Sequence, residues 1–373
     1  MGSKVKWVKL GDYITARNER NSDLRYGIDL IEGVNSRGEF QQTKAITAGI
    51  DLKPYKAVWP GDIAYNPSRL NIGSLAYRES GMCIVSHLYQ VFHVKDKYKD
   101  VLLPEFLLVW FKRDEFLRSV DYFNYGSQRA EFNLKKLGEL DIPLPSIEEQ
   151  RKVVNVWKVL REVKAQNEAK AAPLLQLCQS YIQELKHKYP KNYRIGKAIK
   201  VYDKTNINEE NLEVLGLNSN KEFMPTVANL ESVSTKKYKV VSKGVFAFSG
   251  MQTGRDECIR ICLYDKDTSA LISPAYTTFT LDDTQPLLPE YLMLSFKSSE
   301  MDRLGWFYSD SSVRSNLDWN RFLEIEISLP PIDVQQAIVD IYKCANEAKQ
   351  IAAEADRMSR EVCPALIQHI INA

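Results

Sequence analysis

Hydrophobic positions along the chain follow two rhythms, and the pair of rhythms occurs twice. Residues 58–65, 84–94, 240–248 and 270–281 are rich in β-branched and aromatic side chains. Gly or Pro punctuates them, which predicts short strands. Residues 104–122 and 289–306 then predict a helix. A polar loop follows, and a small strand closes each half at 142–145 (IPLP) or 327–331 (ISLPP).

Each half ends in a long helix. Ser146 and Glu149 form an S-x-x-E capping box at the start of the first, and Asp333 is the expected cap of the second. In the second helix Ile338, Ile341, Ala345, Ala348, Ala352, Ala355, Val362 and Leu366 step by threes and fours, broken only at Ser359. In the first, Val153, Val156, Leu160, Val163, Leu174, Leu177 and Tyr181 make the seam, with polar breaks at Asn167 and Lys170. One seam is rich in alanine and the other in Val and Leu. That complementarity predicts an antiparallel pair, the alternative being two helices each packed on its own domain. Pro173 and Pro364 are expected to kink or interrupt their helices.

The two halves are copies of one plan. LLPEFLLVWFKRDEF from Leu102 matches LLPEYLMLSFKSSEM from Leu287. At the same offset Ser127 falls on Ser312, Arg129 on Arg314 and Gln150 on Gln335. About a third of positions between 102–157 and 287–342 are identical, far above chance for unrelated segments. Upstream the echo is weaker, as in VWPGDIAYN from Val58 against VSKGVFAFS from Val241, or VKLGDYI from Val8 against YRIGKAI from Tyr193. The fold class expected is therefore α/β (α+β): two tandem domains separated by two long helices that form an antiparallel coiled-coil-like pair. The expected boundaries are 1–146, 147–190, 191–331 and 332–373.

Composition narrows the class without naming it. The chain has 373 residues, 44% hydrophobic and 26% charged, in the range of globular proteins. No apolar run approaches a membrane span and no apolar leader opens the chain, so a cytoplasmic protein is expected. Six cysteines and four histidines are scattered, which argues for reduced core thiols and no metal. A net charge of +2 neither demands nor forbids nucleic acid, so any DNA-binding face must concentrate its own positive charge.

Motifs with a catalytic mechanism are missing. There is no G-x-x-x-x-G-K-[ST] phosphate loop, no G-x-G-x-x-G, no H-E-x-x-H and no G-x-S-x-G. Asn66-Pro67-Ser68-Arg69 is similar to the Asn-Pro-Pro-aromatic loop that grips a flipped base, but it lacks the second proline and the stacking ring. Glu184-Leu185-Lys186 resembles part of a nuclease motif but falls on a long helix. A non-catalytic chain without cofactor is expected.

IPLPSIEEQRKVV (142–154) and ISLPPIDVQQAIV (327–339) resemble the segment that ends a target recognition domain in Type I restriction–modification DNA specificity subunits. YGSQRAEFN (125–133) and DSSVRSNLD (310–318) resemble that family's loop with a small hydroxyl residue followed by Arg, although Asp310-Ser311 replaces Tyr125-Gly126 in the second copy. The resemblance implies two α/β target recognition domains at opposite ends of the helix pair, each reading half of a bipartite, asymmetric site on double-stranded DNA. It implies two methyltransferase (M) subunits that bring S-adenosylmethionine, and restriction (R) subunits that bring the motor and nuclease. Two other readings stand beside it: a specificity subunit of a Type IIB-like complex, and a stand-alone DNA-binding regulator.

Phosphate contacts position such a protein and base contacts specify its site. Long polar side chains on loops between predicted strands are the candidates. In the first half these are Arg17, Arg20, Lys44, Arg69, Asn71, Gln128 and Arg129. In the second they are Lys236, Lys237, Gln252, Thr253, Arg255, Arg314 and Asn316. Arg suits guanine, and Gln or Asn suits adenine. The identical placement of Arg129 and Arg314 points to a role common to both halves. Readers are expected where the halves diverge, near 66–73 and 250–256. Tyr65, Tyr77, Trp110 and Phe111 are expected in the core.

Overall fold

The computed structural model describes residues 5–43, 49–124, 132–189, 192–230, 233–310 and 315–372. The chain divides into two compact units, 1–167 with 350–373, and 168–349.

In the first unit Ile14–Ala16, Gln90–Val94, Ile63–Tyr65 and Leu75–Tyr77 lie side by side in one antiparallel sheet. Two further pairs, Glu32–Val34 with Phe40–Gln42 and Lys56–Val58 with Cys83–Val85, are linked by a parallel bridge from Ile31 to Ile84. The second unit repeats this plan. Ile199–Val201, Thr277–Leu281, Phe246–Ser249 and Arg260–Leu263 form its antiparallel sheet. A second sheet runs Phe223–Pro225, Val214–Leu217, Ala270–Ile272, Lys239–Val241, with one parallel contact between 214–217 and 270–272.

Each strand region expected from the sequence is thus two strands in different sheets. The chain turns between them at Gly61 (φ 96°) and Gly244 (φ 86°), a backbone region open to glycine at little strain. Alternation continues across the turn, which is why one run conceals two strands.

The helix expected at 104–122 is also two, Pro104–Phe111 and Asp114–Asn124, and its counterpart is Pro289–Phe296 and Ser299–Tyr308. Phe106 to Phe111 and Tyr291 to Phe296 are buried without a break, so the first helix of each pair is enclosed by the core on every side. In the second copy the Ser298 hydroxyl accepts the Met301 N–H at 3.4 Å and starts a new helix.

Antiparallel ribbons close both units: Lys6–Lys9 with Asp141–Leu144, and Tyr193–Arg194 with Glu326–Ile327. Behind each ribbon the backbone approaches closely at a glycine. A Cβ on Gly11 would lie 3.1 Å from the Gly138 carbonyl oxygen, and one on Gly196 would lie 2.8 Å from that of Leu323.

The long helices are Ile147–Lys188 and Ile332–Asn372. Both run through their prolines, so Pro173 and Pro364 remove a hydrogen bond without interrupting either helix. The Ser146 hydroxyl accepts the Glu149 N–H at 3.3 Å. At the second helix the Pro331 carbonyl accepts the first N–H groups, from Val334 and Gln335. Asp333 therefore sits inside the first turn, where its charge complements the helix dipole, and is not the cap.

The helices pair antiparallel. Lys164 Nζ lies 2.9 Å from Asp356 in the first unit, and Cys178 Sγ meets the Ile338 carbonyl oxygen at 3.8 Å in the second. The seam of the first helix is Gln150, Val153, Trp157, Leu160, Lys164, Asn167, Ala171, Leu174, Cys178, Tyr181 and Leu185, an unbroken alternation of threes and fours. Leu177, expected in the seam, is 51% exposed. In the second helix Ala345, Ala348, Ala352 and Ala355 are buried as expected. Beyond them Cys363 and Ile367 are buried in place of Val362 and Leu366, because steps of four replace the three–four alternation after Ala355.

Candidate nucleic-acid interface

In each unit a loop joins the third and fourth strands of the antiparallel sheet, and these loops carry several of the candidate residues. In the first unit it spans 66–74. Asn66 Oδ1 accepts the Ser68 N–H at 3.1 Å, and a short turn at Leu70–Ile72 ends on Gly73 (φ 88°). A Cβ there would meet the Ser36 carbonyl oxygen at 2.6 Å. Arg69 is exposed and Asn71 half-buried on this turn. The Pro67 carbonyl accepts the Phe132 N–H at 3.1 Å.

The second loop, 250–259, is anchored the same way, with the Gly250 carbonyl accepting the Leu317 N–H at 2.8 Å. Glycine is obligatory here, since a Cβ would fall 1.9 Å from the Leu317 carbonyl oxygen. Gln252 donates its N–H to Asn316 Oδ1 (3.0 Å) and Gly254 donates its own to the Ser315 carbonyl (2.9 Å). Gln252, Glu257 and Ser315 all adopt positive φ, at 60°, 50° and 47°. Strained backbone of this kind persists only where the surroundings over-determine it, and it gathers at binding sites.

The exposed Arg255 is pre-organised. It donates to Gln252 Oε1 at 2.6 Å and to Asp256 Oδ1 at 2.9 Å. The Arg255 hydrogen bond, with Arg260 beside it, holds Asp256 below the usual carboxylate range although burial works against it. Thr253 is fully buried and its hydroxyl binds the Gly250 carbonyl, so it shapes the loop from beneath. Gln252, Thr253, Arg255 and Asn316 are therefore brought together.

The other candidates are placed elsewhere. Arg17 grips the buried carboxylate of Asp62 through two nitrogens, at 2.5 and 2.8 Å, and Asp62 also accepts the Trp59 N–H. Next to that pair, burial and then the Arg17 charge push the His93 imidazole down. Arg20 is exposed beside Lys56, whose pKa falls through burial and then the Arg20 charge. Lys236 and Lys237 are exposed on the turn before the strand Lys239–Val241, with Lys236 3.6 Å from Glu209. Lys44, Gln128, Arg129 and Arg314 lie outside the described residues.

One pair of residues matters more than the sequence alone suggested. Gln150 and Gln335 are fully buried at the first turns of the long helices. Gln150 Oε1 accepts the Leu103 N–H (2.9 Å), and its amide donates to the carbonyls of Val101 (2.8 Å) and Pro145 (3.0 Å). Gln335 repeats this on Leu288, Pro286 and Pro330 at 2.9, 2.8 and 2.8 Å. The ion pairs Lys158–Glu105 and Lys343–Glu290 lie nearby at 2.8 and 3.4 Å. The signal was the shared offset, which marked the glutamines as matched but not as latches between helix and domain.

Among the described residues no group of three or more His, Cys, Asp or Glu could hold a metal ion, and no helix is long and apolar enough to cross a membrane. The protein is a duplicated α/β chain on a frame of paired helices. Residues 9–177 match the family model described as the Type I restriction modification DNA specificity domain. No curated protein matches the chain.

Among solved structures, the Type-I restriction-modification system S subunit from M. genitalium is 12% identical and covers 99% of this chain and 97% of its own, with a TM-score of 0.65. That likeness shows the fold. The HsdS subunit from Thermoanaerobacter tengcongensis (16% identity, 99% and 96% coverage, TM-score 0.42) is also similar. So is a chain from a study of complex assembly and conformational transition of the type I R-M system (15%, 99% and 97%, TM-score 0.44).

Proposed function

We propose that the chain is the DNA sequence-specificity subunit of a Type I restriction–modification system. Residues 1–146 and 191–331 act as target recognition domains, each reading one half of a bipartite, asymmetric site on double-stranded DNA. The helices at 147–190 and 332–373 fix the spacing between the halves. Two methyltransferase subunits and, in a complete system, restriction subunits are directed to the site. Catalysis and S-adenosylmethionine belong to those partners.

The observation that carries this reading is the repetition of one arrangement in both units, a variable loop anchored on the segment that follows the matched helix, behind a buried glutamine latch. Duplicated frames with divergent loops suit a protein that reads two different half-sites by one docking geometry. Arg69, Asn71, Gln252, Arg255 and Asn316 are proposed to face bases. Arg20, Lys236, Lys237, Lys44, Gln128, Arg129 and Arg314 supply phosphate contacts. Arg17 and Thr253 brace the loops from behind.

Co-expression with the methyltransferase subunit of the same locus, followed by single-molecule mapping of N6-methyladenine, tests the reading. A bipartite methylated motif is expected, and Arg255→Ala relaxes one half of it alone. A continuous motif overturns the proposal.

A further inference from the structure

The repeat keeps one frame in both units, yet at one place the second unit has serine three times. Trp110, Arg113 and Pro143 of the first unit correspond to Ser295, Ser298 and Ser328 of the second. In the first unit that place is full. The Trp110 indole is buried, meets Trp7 edge-on at 5.9 Å, and has the Arg113 guanidinium over its face at 3.5 Å. The register of the closing ribbons matches Trp7 with Asn192, so the second unit lacks both rings and the cation.

At this place the second unit has a pocket of about 330 Å3, counted with its open mouth. Small-ligand sites occupy roughly 300–1,000 Å3. Tyr291, Met301, Ile327 and Ser328 line it and are buried, while the more exposed Lys186 and Glu300, paired with each other, stand at the rim. Ser295 donates to the Tyr291 carbonyl and Ser298 to the Ser295 carbonyl, both at 3.0 Å. The third serine is different. The Ser328 hydroxyl is buried and has no hydrogen-bond partner among the described residues, although Tyr291 donates to the carbonyl of the same residue at 3.1 Å. A hydroxyl left in that state is costly, and a partner from outside the chain removes the cost.

We infer that this pocket binds a small aromatic ligand the size of one indole ring, held by its N–H on the Ser328 hydroxyl. The first unit supplies the measure of the occupant, since the same frame there encloses an indole of its own chain. Taking a ring out of a packed frame leaves either collapse or a space that a free ring fills. Collapse is opposed here, because Tyr291, Met301 and Ile327 are all fixed in the core of the second unit. Lys186 and Glu300 part to admit the ring, and a partly exposed ion pair resists this little. Charges at the mouth also suit a free molecule better than a docked protein, whose contacts are depleted of charge at their centre. No described residue of the loop 250–259 lines the pocket, so the site is separate from the proposed DNA reader.

Isothermal titration calorimetry of the full chain with indole provides the test, and it needs no DNA. One indole per chain is expected, with a Kd on the order of 0.1 mM, since so small a ring has few atoms with which to bind. Benzofuran, the same ring without the N–H, binds wild type about 10-fold more weakly. Ser328→Ala removes that preference and leaves both ligands at the weaker affinity. Ser295→Trp refills the space from within and abolishes binding. Should that variant fail to fold, Ser328→Ala and benzofuran still decide the matter. No saturable binding of indole up to its solubility overturns the inference. Equal affinity of wild type for indole and benzofuran overturns it too, as does binding that survives Ser295→Trp in a folded chain. Tighter binding of N-acetyltryptophanamide than of indole puts the ring on a polypeptide and overturns the free ligand.

Discussion

Tyr65 shows how much one atom separates the two halves. It ends a buried strand and packs edge-on against Phe92 at 6.2 Å, and Phe248 stands at the matching position in the strand Phe246–Ser249 of the second unit. The Tyr65 hydroxyl is buried and has no hydrogen-bond partner among the described residues, and burial drives its pKa upward. An unsatisfied buried hydroxyl costs about 1–3 kcal/mol, whereas the ring contributes its full apolar area. Tyr65→Phe is therefore expected to stabilise the chain by about 1 kcal/mol, read as a higher urea midpoint at unchanged slope. A lower midpoint would mean that the hydroxyl holds a partner such as a bound water. The sequence placed Tyr65, Trp110 and Phe111 in the core, where they are, with Tyr77 half-buried against it. It could not reveal the orphan hydroxyl, because satisfaction of a polar atom depends on neighbours brought in from distant segments. The same holds for Arg17, which reads as an exposed cation until the buried Asp62 appears 45 residues away.

At the scale of elements, existence was legible and phase was not. The strand regions, the two long helices and the closing strands all follow from apolar periodicity. The split helices do not, since Lys112 and Ser298 interrupt no hydrophobic pattern. Val153, Leu160, Asn167, Leu174 and Tyr181 were legible as one row of the seam, but Lys164 occupies the other row at a position that a hydrophobic count skips, so that row was placed one residue early, at Val156, Val163, Lys170 and Leu177. Lys164 is tolerated there by its ion pair with Asp356. Polar seam positions of this kind fix register at some loss of stability.

The glutamine latches make the sharpest test at this scale. Gln150→Ala strands the Leu103 N–H and the carbonyls of Val101 and Pro145 in a buried place, and is expected to destabilise the chain by about 2–3 kcal/mol. Gln335→Ala should cost a similar amount, and the double variant the sum of the two, since each latch lies within its own unit. Hydrogen exchange should locate each loss at the first turns of the helix concerned. A neutral outcome for either variant would reduce the latch to a packing residue.

The whole molecule carries the message that neither smaller scale contains: one plan, written twice, with loops free to differ. That much was visible from the 185-residue offset alone, because a repeat needs no knowledge of contacts. If the helix pair sets the spacing between the two half-sites, its length should be readable in the DNA. Removing one heptad from each long helix keeps the seam in phase, because seven residues return it to the same face. It shortens each helix by about 10 Å at 1.5 Å per residue. DNA rises about 3.4 Å per base pair, so the tolerated spacer should shrink by about three base pairs while both half-sites keep their sequence. Removing four residues from each helix instead rotates the seam out of phase and should abolish specific methylation. Methylation mapping with the two deletions separates these outcomes. An altered half-site in the heptad deletion would show that the helices shape recognition itself and do not merely space it.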